Sequence, residues 1–214
     1  MKIIPLGIQC SVPEALKITN LRKYSYPFDW LLTPSKTTYE ILQILLKDGV
    51  DKAISYMVDN YKYYKCVKNE DYIFSDEKTE YQLNTDTGLG ITFFNINDEY
   101  KIVLRIRLER LLKDILSQEK LLLIYADCPS ITHNYTIDNI VYGLDATEYL
   151  EKIYNVISVY NSNVEVLYYC WTEREKPNKK IKHIPFEYKY NWYEVSRFVA
   201  QSLIKLYGTD ALFY

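Results

Sequence analysis

The chain has 214 residues and a formal net charge of −2, with a pI of about 5.8, so it lacks the excess positive charge with which proteins bind nucleic acid or anionic membranes. Hydrophobic residues make up 48% of the sequence and charged residues 25%, which is typical of a folded globular protein and excludes a disordered one. No run of residues approaches the roughly 18 apolar positions that a membrane-spanning helix requires.

The four cysteines include no Cys-x-x-Cys pair and no closely spaced set that would predict a zinc site or a disulfide framework. The N-terminal segment MKIIPLGIQC has too short an apolar run for a signal peptide. We therefore expect a cytoplasmic protein with reduced thiols. The GLG at residues 88–90 lacks the third glycine of a dinucleotide-binding loop, and neither a metal nor a cofactor is predicted.

The first predicted elements are a strand and a helix joined by a tight turn. The strand covers residues 2–6 and ends near Pro5, because proline has no amide hydrogen for a ladder bond. The helix covers residues 11–21, with Ser11 as its N-cap and Glu14 completing a Ser-x-x-Glu capping box. The only cysteine of this segment therefore lies where the helix begins.

Helices and strands continue to alternate along the rest of the chain. Further helices are predicted over residues 35–47, 50–60, 98–118, 145–160 and 193–207. Further strands are predicted over residues 72–74, 81–83, 91–94, 121–126 and 163–171. The continuous apolar run LLLIYA before Asp127 is typical of a strand that is covered on both faces. This order predicts an α/β fold, with a single three-layer domain over residues 1–214 and a largely parallel central sheet flanked by helices.

Chemically active side chains follow several of the predicted parallel strands. Cys10, Asp127 with Cys128, and Cys170 each come at the end of such a strand. Ligands of open α/β sheets bind outside the carboxyl ends of the strands. We therefore expect these residues to lie along one edge of the sheet.

Cys10 is the strongest candidate among them. A thiol at a helix N-terminus faces unpaired amide hydrogens and the positive end of the helix dipole, which favour a thiolate and can stabilise an oxyanion. The alternative is a buried structural cysteine, because cysteine is among the most buried residue types. Position alone leaves both interpretations open.

Asp29 lies within the apolar segment YPFDWLL, and a carboxylate in apolar surroundings needs a partner. It could orient a histidine or bond the backbone of the turn at residues 7–10. The alternative is a turn cap that follows Pro27.

Arg107 and Arg110 lie three residues apart on one face of a predicted helix. Two guanidinium groups in that arrangement can grip a carboxylate or a phosphate. Pairing with Glu109 or Asp114 is the alternative.

The segment PLGIQCSVPEAL…LRKYSYPFDWLLTP resembles the start of a group described as putative papain-like cysteine peptidases, found in bacteria and large DNA viruses. That family has a hydrophobic strand, then Gly-x-x-Cys and a helix, then Pro-Phe-Asp-Trp; here the two motifs are GIQC at residues 7–10 and PFDW at residues 27–30. The later segment RLERLLKDILSQEKLLLIYAD resembles the family's Arg-rich helix and apolar strand, which places Arg107, Glu109 and Arg110 on its pattern.

The resemblance implies a thiol hydrolase that carries out acyl transfer on a peptide, amide or ester. Cys10 would be the nucleophile, its amide and that of Ser11 would be oxyanion donors, and Asp29 would orient or support the site. Further motif positions would line the site: Gly7, Gln9, Ser11 and Trp30.

The chain departs from the family at the position of the base. The family carries Gly-Ile-x-Phe-x-His-Asp before its Arg-rich helix, whereas this chain has GITFFNI at residues 90–96, so that Asn95 stands in place of the histidine and Ile96 in place of the aspartate. Asparagine cannot take the proton of a thiol. Either His133, in the loop after the apolar strand, or His183 acts as the base, or the chemistry has been lost.

A non-catalytic module is the alternative function. Arg107, Arg110 and Asp127 would then hold a small polar ligand, such as a nucleotide, a sugar or a peptide terminus, at the same strand edge. A viral member could instead bind a host protein. The expected partner of an active enzyme is a peptide or a small polar ligand, with no membrane and no nucleic acid involved.

Overall fold

The structure of the chain, a computed structural model, describes residues 1–7, 10–59, 61–65, 80–84, 86–91, 96–127, 135–137, 140–142, 146–170, 180–186 and 192–208. Several predictions concern residues outside these ranges: Gln9, Asn95, Cys128, His133, the strand over residues 72–74 and most of the strand over residues 91–94.

Strands and helices alternate along the described chain. Its strands are β1 (Lys2–Pro5), β2 (Leu31–Leu32), β3 (Tyr61–Lys65), β4 (Glu80–Asn84), β5 (Gly90–Ile91), β6 (Leu121–Ala126), β7 (Tyr135–Ile137), β8 (Ile140–Tyr142), β9 (Val164–Cys170) and β10 (Ile181–Pro185). Its helices are α1 (Ser11–Ile18), α2 (Ser35–Asp48), α3 (Val50–Val58), α4 (Asp98–Leu116), α5 (Thr147–Ser158) and α6 (Trp192–Tyr207). The five helices predicted after α1 are confirmed to within one or two residues at each end.

The central sheet contains four parallel strands in the order β1-β6-β9-β10. β6 lies between two neighbours, and all of its residues are buried, as its unbroken apolar sequence predicts for a strand covered on both faces. The backbone bonds continue past the strand ends, since the Leu6 amide donates to the Ile124 carbonyl at 2.9 Å and the Asp127 amide donates to the Tyr169 carbonyl at 2.8 Å.

Helices cover both faces of this sheet. On one face, side chains such as Ile4, Leu123 and Tyr168 pack in a core with α2, α3, α4 and α5. On the other face, side chains such as Ile124 and Tyr169 pack with α1 and α6. The predicted three-layer α/β architecture with a parallel sheet is therefore confirmed.

A second, antiparallel sheet contains short strands in the order β2-β5-β4-β3. The predicted strand over residues 81–83 is confirmed as part of β4, whereas β2 and β3 were not predicted. A further antiparallel pair is formed by β7 and β8. Among the residues that the structure describes, no helix is long and apolar enough to cross a bilayer.

The start of α1 differs from the prediction. Cys10, not Ser11, is the N-cap, with backbone angles φ −64° and ψ −11°, and no side chain caps the helix. The predicted capping box of Ser11 and Glu14 is therefore wrong. A capping box needs its serine at the N-cap position, from which the hydroxyl accepts from the amide three residues later, whereas Ser11 is already the first residue of the helix. The Glu14 amide instead donates to the Cys10 carbonyl at 2.9 Å.

Candidate functional site

The turn from β1 into α1 needs a glycine at position 7. Gly7 has a φ of +110°, in the region that side chains rarely adopt. A Cβ atom at this position would lie 2.8 Å from the carbonyl oxygen of Thr33. The glycine therefore lets the chain turn towards Cys10 in close contact with the segment before α2.

A buried threonine of α2 holds the same turn from the other side. The Thr38 hydroxyl donates to the Leu6 carbonyl at 2.9 Å, which fixes the residue that leads into Gly7. The hydroxyl of Thr33 is also buried but has no hydrogen-bond partner. The direction of the chain entering the cysteine turn is thus set by contacts with α2 and the residues just before it.

Cys10 is partly exposed and belongs to no disulfide. The next two residues of α1, Ser11 and Val12, are buried, and Pro13 has no amide hydrogen. Neither the Ser11 amide nor the Val12 amide donates a hydrogen bond to a residue that the structure describes. Cys10 therefore lies at the positive end of a helix whose first two amides have no acceptor among the described residues, and negative charge is stabilised at such an end.

The Ser11 hydroxyl lies at the same helix end. The Ser11 residue is 1% exposed, and its Oγ atom has no hydrogen-bond partner. Most buried hydroxyl groups in proteins are hydrogen-bonded. Ser11 is thus a third donor without an acceptor at the start of α1.

Asp29 is fully buried and bound by an arginine. An Arg22 guanidinium nitrogen donates to Asp29 Oδ2 at 2.9 Å, while Oδ1 has no partner. Burial raises the pKa of the Asp29 carboxyl, and the charges of Arg22 and Arg107 oppose that rise. The prediction left open a histidine, the turn at residues 7–10 or a turn cap; among the residues that the structure describes, the side chain bonded to the carboxylate is that of Arg22.

Trp30, predicted to line the site, lies next to this pair. The Arg22 guanidinium stacks over its ring, with 5.4 Å between the guanidinium carbon and the ring centroid. Trp30 has a φ of +67°, which is unusual for a bulky side chain. The ion pair and the stacking together hold the segment in this backbone conformation.

Arg107 and Arg110 share α4 but have different surroundings. Burial lowers the pKa of the Arg107 guanidinium, and the nearby Asp29 carboxylate raises it. Arg110 donates to the Ser25 carbonyl at 2.6 Å and stacks over the Tyr24 ring at 5.0 Å. Arg107 thus adjoins the buried carboxylate, whereas Arg110 packs against the chain that leads to it.

Asp127 lies in a buried network beyond the end of β6. The Tyr168 hydroxyl lies 2.9 Å from both carboxylate oxygens of Asp127, and Asp127 is 3% exposed. Burial and the Asp127 charge raise the pKa of Tyr168 far above its ordinary value. Tyr125 lies beside Tyr168, with the two ring centroids 5.9 Å apart, so this part of the carboxyl edge is occupied by side chains.

His183 lies within β10, opposite Tyr168 in the register, with 5.3 Å between the two ring centroids. Tyr168 belongs to the core on the face away from α1, so His183 shares that face. Three strand spacings of about 4.8 Å separate β10 from β1, which is roughly 14 Å. This geometry argues against His183 as the base for Cys10.

The predicted residues gather less closely than the sequence suggests. Cys10 and Asp127 follow neighbouring strands at the carboxyl edge, but Cys10 opens the helix on one face while Asp127 bonds Tyr168 on the other. Cys170 is the buried last residue of β9 and does not follow the strand. Arg110 lines a groove with Lys2, at the amino end of β1, so the structure does not bring it to the edge where Asp127 lies.

A family model described as putative papain-like cysteine peptidase matches residues 1–133. The chain belongs to this family. The match covers the stretch from β1 to beyond β6 and includes Cys10, Asp29, Arg107 and Arg110, whereas β9, β10, α5 and α6 lie outside it. No curated protein matches the chain, and no solved structure does.

Sequence reasoning missed three residues that shape the site. Arg22 was missed because its partner Asp29 lies seven residues away, a spacing that no regular element brings together. Thr33 and Thr38 were missed because their contacts with residues 6 and 7 cross from one element to another. The available signal was that a buried aspartate needs a cation as its partner. The nearest cations along the chain are Lys23, Arg22 and Lys36.

Proposed function

We propose that the protein is a cysteine hydrolase that transfers the acyl group of a peptide, amide or ester to Cys10 and then to water. The observation that carries the proposal is that Cys10 is the N-cap of α1, where the amides of Ser11 and Val12 have no acceptor among the described residues. Such donors favour a thiolate before the reaction and an oxyanion during it. Membership of a family described as putative papain-like cysteine peptidases supports the same chemistry.

The reaction proceeds in two steps. The Cys10 thiolate attacks the carbonyl carbon, a C–S bond forms, and the carbonyl π pair moves to the oxygen, which the helix amides stabilise. The pair then returns, the bond to the leaving group breaks, and the amine or alcohol departs with a proton from the conjugate acid of the base. Water attacks the thioester, gives its proton to the base, and the carboxylic acid leaves as the thiolate is restored.

His133 is the proposed base. Asn95 occupies the position of the family's histidine and cannot accept a proton, and His183 lies on the other face of the sheet, three strands away. In the sequence, His133 comes six residues after Asp127, which follows the strand β6 beside β1. The role of His133 is to accept the proton of water during hydrolysis of the thioester.

Asp29 is proposed as a positioning residue. Its carboxylate bonds Arg22 and adjoins Arg107, which fastens the chain between α1 and β2 to α4. The same chain continues into Thr33, which contacts Gly7. Asp29 therefore acts on the site through the turn that carries the nucleophile.

Catalysis explains more of the geometry than the binding alternative does. A ligand held jointly by Arg110 and Asp127 would have to span the sheet from the amino end of β1 to its carboxyl edge. Asp127 is also buried and bonded to Tyr168. Cys10, unlike Asp127, is partly exposed.

An activated ester tests the proposal without knowledge of the natural substrate. We expect p-nitrophenyl acetate to acetylate Cys10, seen as the mass of one added acetyl group and mapped to the peptide that contains this residue. Cys10→Ala is expected to abolish that adduct, and His133→Ala to accumulate it by slowing hydrolysis. Absence of an adduct at Cys10, or equal ester hydrolysis by Cys10→Ala, would contradict the proposal.

A further inference from the structure

We infer that the Ser11 hydroxyl is a third oxyanion donor and therefore a further catalytic residue of the proposed reaction. The inference rests on the proposed function of Cys10 and adds a side chain to the two backbone amides. The three donors at the start of α1 would then recognise an acyl oxygen, which gains negative charge as sulfur adds to the carbonyl carbon.

The first argument is that no group of the described residues is hydrogen-bonded to this hydroxyl. Ser11 Oγ is buried and lacks a hydrogen-bond partner, although buried polar atoms are normally paired. A serine inside a helix usually bonds the carbonyl four residues earlier, as Ser196 of α6 does with the Trp192 carbonyl at 2.8 Å. For Ser11 that residue is Gly7, which lies outside the helix at φ +110°.

The second argument is the direction of the side chain. Side chains of an α-helix tilt toward its N-terminus, so the hydroxyl of the first helical residue lies at the end that carries the unpaired amides of Ser11 and Val12. Cys10 precedes it directly. The Ser11 hydroxyl and the two amides are thus three donors at the positive end of α1, next to Cys10 in the chain, that have no acceptor among the described residues.

The third argument is chemical. Three donors without an acceptor stabilise a full negative charge much more than a neutral carbonyl oxygen. An acylation, in which a carbonyl oxygen becomes an oxyanion, should therefore depend on Ser11. A displacement at a saturated carbon, in which the thiolate expels iodide and no oxyanion forms, should not.

The test compares these two reactions at the same sulfur. Cys10 is acetylated by p-nitrophenyl acetate and alkylated by iodoacetamide, both at a pH at which the thiol is ionised, with each rate read from the peptide that contains Cys10. We expect Ser11→Ala to lower the ratio of acetylation to alkylation by at least about tenfold. Ser11→Thr, which keeps a hydroxyl, should restore most of the ratio.

Ser196→Ala is the matched control, since it removes a buried helical hydroxyl that does have a partner; its ratio should equal that of the native protein. An unchanged ratio in Ser11→Ala would overturn the inference. Failure of Ser11→Ala to fold would also overturn it, because an unpaired hydroxyl contributes no bond to the native state. If native Cys10 alkylates with the pH midpoint of an ordinary thiol, the proposed function fails, whereas an activated thiol with an unchanged ratio refutes the role of Ser11 alone.

Discussion

Removal of the Ser11 hydroxyl should stabilise the protein. Ser11 Oγ is buried without a partner, so folding takes it out of water and gives no bond in return. Ser196 is equally buried, but its hydroxyl donates to the Trp192 carbonyl at 2.8 Å. The same substitution, serine to alanine, therefore removes an unbonded hydroxyl at position 11 and a bonded hydroxyl at position 196.

The magnitude follows from the energetics of a buried hydroxyl. Removal of an unpaired buried group should add about 1 kcal/mol to the free energy of unfolding, whereas loss of a net hydrogen bond should subtract about 1 kcal/mol. The gain in helix propensity from serine to alanine is about 0.5 kcal/mol or less and is shared by both variants. The free energy of unfolding of Ser11→Ala should therefore exceed that of Ser196→Ala by about 2 kcal/mol. For a domain of this size, that difference corresponds to roughly 4–8 °C in Tm.

Urea unfolding at equilibrium, followed by circular dichroism, measures both free energies. Equal slopes against urea concentration would show that the two variants unfold from comparably compact states. If Ser11→Ala lost stability by the same amount as Ser196→Ala, the Ser11 hydroxyl would have a structural partner. The role of the Ser11 hydroxyl as an oxyanion donor would then be refuted.

Three further predictions concern the turn and the buried ion pair. Gly7→Ala should cost about 2 kcal/mol in urea unfolding, because a side chain at φ +110° is strained and its Cβ would press on the Thr33 carbonyl; unchanged stability would contradict the close contact. Thr38→Val should lower the free energy of unfolding by about 1 kcal/mol, because it removes the hydrogen bond to the Leu6 carbonyl. Thr33→Val removes a hydroxyl without a partner and should lower it by nothing. Equal losses in the two variants would show that the Thr38 bond contributes nothing. Arg22→Met should raise the pKa of Asp29 further. A carboxyl whose pKa is raised in the folded state makes the protein less stable as pH rises. The loss in free energy of unfolding relative to the native protein should therefore be small near pH 4 and about 3 kcal/mol at pH 7. A deficit that does not vary with pH would mean that the Asp29 charge is not its cause.

The elements that the sequence predicts well are those whose signal is local. The strand β6 is recognised because every one of its residues is apolar, and a strand between two others under two helical layers needs that composition. The helix α4 is recognised because its buried side chains recur with helical spacing, and its start is fixed by Asn97, whose side chain accepts from the Tyr100 amide at 2.8 Å.

The features that were missed depend on contacts between distant segments. The strand β2 is two residues long and exists through its pairing with β5, so it has no periodicity to detect. The N-cap of α1 was misplaced by one residue because Ser11 has a good capping side chain, whereas the Gly7 turn and its contact with Thr33 bring Cys10 to the capping position. Local capping preference was overridden there by tertiary packing.

The measurement that tests the central claim most directly is the pH dependence of Cys10 alkylation by iodoacetamide in the native protein. Cys10 lies at the positive end of α1, where the amides of Ser11 and Val12 have no acceptor among the described residues. The midpoint of reactivity at its peptide should therefore lie at least about one pH unit below the value of roughly 8.5 for an ordinary thiol. A midpoint at or above roughly 8.5 would show that the helix N-terminus does not activate this thiol, and would contradict a nucleophilic role for Cys10.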